Sequence, residues 1–231
     1  MVRPTLLSRS CVDRRDGSGT QSFLLKQWPV TSIESVTVSG AVLPAATTDI
    51  NQGWRCNLWD GTGPGSPTTV ELGGGYSFTQ GSMNVEVAYT AGYPILLEPH
   101  VIPATPFLVV VDGPKGPWAG NLAVTTAAGD PMTLVTGTPT TGQYALGTLA
   151  GTYQFAAADT LDSVLISYSY TPWDINLVAT EWVAERYSYK DRIGQRSKSL
   201  GGQETISWDL DGIPAYVRDA IRPYVSVIQL L

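Results

Sequence analysis

Nucleophilic catalysis needs a base beside the nucleophile, most often a histidine against a serine or cysteine. This chain carries one histidine in 231 residues. It is His100, flanked by prolines in Glu98-Pro-His-Val-Ile-Pro103, where a loop is expected. No Gly-x-Ser-x-Gly elbow accompanies it. Cys11 and Cys56 belong to no Cys-x-x-Cys pair, and one imidazole cannot complete the usual metal-ligand set. The turns Asp16-Gly17-Ser18-Gly19 and Asp60-Gly61-Thr62-Gly63 offer carboxylates to a hard cation, but Asp-Gly is first of all a turn former. Gly61-x-Gly63-x-Gly65 has the glycines of a phosphate loop without its Gly-Lys-Ser/Thr ending or a following helix. No glycosidase couple stands out among 20 acidic residues. The residue types therefore predict a protein that is not an enzyme and takes no metal and no cofactor.

Two regions point to contacts instead. Arg186, Lys190, Arg192, Arg196 and Lys198 stand together against Asp191 alone, a basic patch in a chain of formal charge −6. Cations complementing a helix C-terminus account for Lys190 and Arg192. Arg196 and Lys198 lie past that helix end, where an acidic neighbour or a phosphate is an equal reading. The chain closes on Val225, Val227, Ile228, Leu230 and Leu231, an apolar end of the kind that seeks another surface.

The elements that would position these residues are mostly strands. Charged residues are only 15% of the chain, aromatics 10%, with Gly 24 and Pro 16; disordered chains are charge-rich and aromatic-poor. Ser22 to Pro29, Val36 to Val38, Trp54 to Trp59, Tyr76 to Phe78 and Val85 to Tyr89 predict five strands in the first ninety or so residues, a small antiparallel sheet or barrel. Residues 96–170 change texture, being poor in charge and broken by Pro103, Pro106, Pro114, Pro117, Pro131 and Pro139, which excludes helix there. Strands are expected at Leu108 to Val111, Met132 to Val135, Tyr153 to Phe155 and Val164 to Tyr170. Gly75 to Tyr89 and Thr152 to Tyr168 echo each other, as convergent patterning or as a duplication. After Thr171-Pro172, Asp174 is the expected cap of a helix that buries Ile175, Val178, Ala179, Trp182 and Val183 and ends near Gly194. A polar segment follows to Ser207, then a short helix from Pro214 to Ile221.

The expected fold is mainly β with a C-terminal α-helical part (α+β): a small antiparallel sheet plus a long helix, interrupted by a β-sandwich-like insertion. The divisions are 1–95, 96–170 and 171–231. Two cysteines are no disulfide framework, so free thiols in a reducing compartment are expected. No stretch approaches the ~20 apolar residues of a membrane helix, and the first residues lack a signal peptide's apolar run. The expectation is a soluble protein made in a cytoplasm.

Several segments, in order, resemble one family. Arg14-Arg-Asp-Gly-Ser-Gly19, the apolar run to Trp28-Pro29-Val30, and Val36-Thr-Val-Ser-Gly40 are similar to the central strands of tailed-phage head–tail connector (adaptor) proteins. Val85-Glu-Val-Ala-Tyr-Thr-Ala-Gly-Tyr93 is like that family's "v-x-Y-x-A-G-Y", and Pro172-Trp-Asp-Ile-Asn-Leu-Val-Ala-Thr-Glu-Trp-Val-Ala-Glu-Arg-Tyr187 like its helix. Ile193-Gly194, Ser197 to Gly201, Ile213-Pro214 and Pro223-Tyr224 continue it. About two-thirds of the chain is covered, with 96–170 outside. The family usually has helices upstream of the first motif, where this chain has about a dozen residues, and runs from "A-G-Y" straight into the helix.

The resemblance implies a structural ring, typically of twelve copies, in the virion at the head–tail junction. It would sit between the portal protein and the stopper or tail completion protein and be assembled in the host cytoplasm. The ring extends the DNA channel for genome retention and ejection, and the acidic balance suits a wall that lets DNA pass without sequence-specific binding. The C-terminal tail would dock on the portal. The alternatives are another virion β protein of the tail or baseplate, and a carbohydrate-binding β-sandwich using exposed aromatics.

Overall fold

The computed structural model describes residues 3–4, 6–48, 51–111, 113–190, 197–200, 204–207 and 213–224. The first strands in chain order are β1 (Arg3–Pro4), β2 (Arg9–Gly17), β3 (Ser22–Leu24), β4 (Gln27–Trp28) and β5 (Val30–Val38). They are followed by β6 (Ala41–Leu43), β7 (Gly53–Cys56), β8 (Thr69–Gly73) and β9 (Gly81–Ala91). The alternation at Val85 to Tyr89 forms the middle of β9, which lies antiparallel to both β2 and β5 in a sheet ordered β2-β9-β5-β6. Period-2 geometry turns Val85, Val87, Tyr89 and Ala91 to one face, and all four are fully buried. They pack with Phe23, Val70 and Leu72 of a second antiparallel sheet, β3-β8-β7.

Two expected strands in this part are corrected. The run Ser22 to Pro29 breaks into β3 and β4 because Lys26 N–H donates to the buried Asp13 Oδ2 (2.7 Å) rather than to a neighbouring strand. Tyr76 to Phe78 is loop: Phe78 N–H donates to Thr20 O, and its ring is held against Phe23 at 5.3 Å. Burial of the aromatic, rather than strand pairing, wrote the alternation there. The echo with Thr152 to Phe155 fails accordingly, since those residues are a paired strand.

Next come β10 (Pro94–Val101), β11 (Leu108–Val110), β12 (Trp118–Thr126), β13 (Thr133–Val135), β14 (Gln143–Leu146), β15 (Thr152–Phe155) and β16 (Ser163–Tyr170). They form two sheets, β10-β16-β12 and β11-β15-β14-β13. Val124, Val164, Ile166 and Tyr168 from the first pack with Val109, Tyr144, Tyr153 and Phe155 from the second in one apolar cluster. Among the described residues of this stretch, the one helical piece is the turn Ala157–Asp159.

The last elements are α1 (Trp173–Tyr189), β17 (Ser197–Leu200), β18 (Glu204–Ser207) and α2 (Ala215–Ile221), with a 3₁₀ turn at Arg222–Tyr224. The chain is mainly β, and among the described residues its α-helices are short, 17 and 7 residues. Pro172 and Pro214 hold the two N-cap positions without a side-chain cap, so Asp174 is not the cap the sequence predicts. It lies in the first turn, where its carboxylate suits the positive end of the helix and accepts Ile175 N–H at 2.9 Å. The segment read as merely polar contains the antiparallel pair β17–β18.

Between β9 and β10 the chain turns on Gly92, at φ +127°. A Cβ there would sit 2.5 Å from both the Leu7 carbonyl oxygen and Ser8 Cα. Gly92→Ala therefore combines a backbone clash with a conformation L-residues avoid, which alone costs on the order of 1–3 kcal/mol. Denaturant unfolding should show a lowered midpoint by at least that amount, and an unchanged midpoint would remove Gly92 from the turn's requirements.

Candidate assembly surface

Four residues from distant parts of the chain meet in one buried aromatic cluster. Trp28 ends β4, Tyr93 follows the Gly92 turn, Tyr170 ends β16, and Tyr224 closes the 3₁₀ turn after α2. Trp59, Ile95 and Ile175 pack against them. The Tyr93 ring meets Trp59 edge-on at 5.0 Å, Tyr170 at 5.9 Å and Tyr224 at 6.2 Å, spacings at which aromatic pairs attract beyond simple burial. Tyr93 Oη donates to the Pro64 carbonyl. Trp59 Nε1 donates to Thr62 O at 2.7 Å, and Lys115 Nζ to Gly61 O at 2.8 Å. The glycine run 61–65 thus folds over the cluster, with all three glycines at positive φ.

Two contacts join the helices to this cluster and to each other. Tyr224 Oη lies 2.7 and 2.6 Å from the two Asp174 carboxylate oxygens. Tyr216 Oη donates to Glu185 Oε2 at 3.1 Å. The order of these pairs makes α2 run antiparallel to α1. Burial raises the Tyr93, Tyr170 and Tyr224 phenols, and acceptance by the Asp174 carboxylate raises Tyr224 further.

Among the less exposed residues of α1, Ile175, Val178, Trp182 and Glu185 are spaced to share one side of the helix. That side faces the tyrosines. Ala179 and Val183, expected to be buried with them, are exposed. Away from it Trp173 is 53% exposed, Leu177 57%, Val183 68% and Tyr187 68%. Helices with apolar residues on every side are normally covered all round. Sequence reading assigned one apolar face and missed the second, although the spacing 173, 177, 180, 184, 187 was visible.

Of the predicted basic patch, Arg186 is seen on α1 and Lys190 at its C-cap. The Arg186 guanidinium lies 5.8 Å from the Trp182 ring centre and the Lys190 ammonium 3.8 Å from that of Tyr187. Lys198 falls in β17, whereas Arg192, Arg196 and the tail residues Val225, Val227, Ile228, Leu230 and Leu231 lie outside the described residues.

The residues considered for chemistry have structural partners. His100 lies in strand β10 rather than a loop: β10 is an edge strand that accommodates Pro99, and Pro103 falls past its end. Its Nε2 is 2.8 Å from Glu98 Oε1, and Glu98 Oε2 accepts Tyr168 Oη at 2.6 Å. Asp60 accepts Thr62 N–H and Oγ1, bonds that hold its carboxyl below the usual range, and Asp16 accepts Met83 N–H. Cys11 and Cys56 are free thiols, and burial pushes Cys56 up to about 11. Among the described residues no helix is long and apolar enough to cross a membrane. Compared with protein-family models, curated proteins and solved structures, the chain matches none.

Two outcomes test the cluster. Tyr224→Phe keeps the ring and removes a hydrogen bond to a charged group, costing about 1.5–3 kcal/mol. Combined with Asp174→Asn, its effect should be clearly less than additive; full additivity would mean the pair does not couple. Raised phenol pKa values favour the neutral, folded form, so their contribution is complete below about pH 10, the value of an unfolded tyrosine, and is lost as pH rises through the higher folded values. Tyrosinate absorbance should therefore lag in the folded protein and appear together with loss of structure.

Proposed function

We propose that this chain is a structural, non-enzymatic head-to-tail adaptor of a tailed phage, one copy of a ring between the portal and the stopper or tail completion protein. The observation that carries the reading is where the family-like motifs meet. Trp28 of the Trp-Pro-Val motif, Tyr93 of Ala-Gly-Tyr, Asp174 of the Pro-x-Asp helix start and Tyr224 of Pro-Tyr belong to one cluster and its hydrogen bonds. Motifs up to about two hundred residues apart in sequence thereby form one packing unit.

The insertion fits the same reading. Tyr170 N–H donates to Tyr93 O at 2.9 Å, and Pro94 pairs with Ser169. Residues 96–170 therefore leave and return at one place, as a β-sandwich-like module set into a loop would. The remainder, 1–95 and 171–231, reads as a connector core with β and helical parts in an α+β layout. In this role the ring, of about twelve copies, sits in the virion after assembly in the host cytoplasm. Its net negative charge suits a channel that DNA traverses without being gripped. The tail from Val225 to Leu231 docks on the portal. A carbohydrate-binding β-sandwich is disfavoured, since among the described residues the exposed Trp and Tyr are Trp173, Tyr187 and Tyr216, all on the helices.

Deleting Val225 to Leu231 should leave a folded protein that no longer joins DNA-filled heads to tails. Electron microscopy of particles should place the intact chain as a flat ring at the head vertex. Density along the tail tube or at its tip would overturn the adaptor reading, and normal joining by the truncated chain would remove the tail from the mechanism.

A further inference from the structure

Around α1, the exposed apolar residues form an arc bordered by charges of opposite sign. With about 100° per residue, Trp173, Leu177, Thr180, Ala184 and Tyr187 cluster on the side facing away from Tyr216 and Tyr224. On one flank of this arc lies Glu181, exposed, beside Asp174 and Glu185, whose carboxylates bond to Tyr224 and Tyr216. Val183 begins the other flank, which continues to Lys190 and Arg186. Leu177 thus lies next to Glu181, and Val183 and Tyr187 lie next to Lys190. Each flank combines apolar surface with one sign of charge.

Such a helix complements the opposite flank of a second copy and not its own. A two-fold contact between antiparallel helices sets each flank against itself, acid on acid or base on base. A head-to-tail contact between helices running the same way sets acid on base. Heterologous contacts of that kind close into rings when the rotation allows.

We propose that α1 is the self-association helix of this protein, its Leu177–Glu181 flank packing on the Val183, Tyr187 and Lys190 flank of a second copy. The contact is directional, and each copy uses both flanks. The two contact centres are separated by about eight residues, so neighbouring helices lie side by side with an offset of about 12 Å. Lys190 already stands over the Tyr187 ring, which holds the cation beside the apolar surface rather than out in solvent. The inference deepens the ring reading and rests on it for the assembly's location, but not for the contact itself.

The test uses the full chain with Cys11→Ser and Cys56→Ser, concentrated and oxidised. Glu181→Cys combined with Lys190→Cys in one chain should give a covalent ladder extending beyond dimer, whereas either cysteine alone should not. A dimer formed by Glu181→Cys alone would show a two-fold contact and overturn the proposal, as would no cross-link from the pair. Without the cysteines, Glu181→Lys or Lys190→Glu should weaken self-association, read by light scattering, roughly tenfold or more. Carrying both reversals should restore it, and unrestored association in a chain of unchanged circular dichroism would count against the contact. No phage particle enters these measurements. A ladder with no ring at the head vertex would sink the adaptor reading alone, and the reverse result would sink this contact alone.

Discussion

The two β parts and the helical part of this protein meet, among the described residues, at the rings of three tyrosines. Tyr93, Tyr170 and Tyr224 bring together the end of the first β part, the end of the second and the end of the helical part. The apolar clusters on either side are each drawn from one stretch of chain, so neither holds its neighbour in place. A tyrosine suits the junction because its ring buries a large apolar area while its hydroxyl still finds a partner. Here the partners are the Pro64 carbonyl and the Asp174 carboxylate. The second ties the end of the helical part to the start of α1, through a hydrogen bond to a charged group.

That constraint explains an otherwise odd local choice. α1 starts without a side-chain cap, and its first-turn aspartate is turned instead toward Tyr224. The same carboxylate also accepts Ile175 N–H, so the local and the tertiary bond share one side chain. Helix 215–221 is too short to persist alone, and its end is fixed by that same hydroxyl. Helix start, helix pair and junction are therefore one cooperative unit.

Much of this was legible in the sequence, but unevenly. Strict alternation located β9, because a half-buried strand must alternate, and prolines and glycines marked where helix could not form. Tyr76 to Phe78 alternates for a different reason, one ring being buried in a loop, and periodicity cannot separate the two cases. His100 was misplaced because proline is compatible with both a loop and an edge strand. The junction itself could not be read, since no local pattern says that Trp28, Tyr93, Tyr170 and Tyr224 meet. On α1 the apolar residues occupy two sides, so a reading that looks for a single stripe assigns Val183 to the core when it is exposed.

The two-sided helix and the returning insertion bear on each other. Because Tyr93 and Tyr170 are joined by a backbone hydrogen bond, the strands β10 and β16 extend from the junction as a pair, and what lies beyond them can change without moving Tyr93 or the start of α1. Three residues separate Tyr170 from Asp174, so the position of α1 is set by the junction and is indifferent to the module's outer loops. On the proposed contact, a helix placed in this way keeps both flanks available to neighbouring copies whatever the module's outer loops become. Separating assembly from elaboration in this manner requires only that the two ends of the insertion stay together, and the antiparallel pairing of Pro94 with Ser169 and of Ile95 with Tyr168 keeps them so.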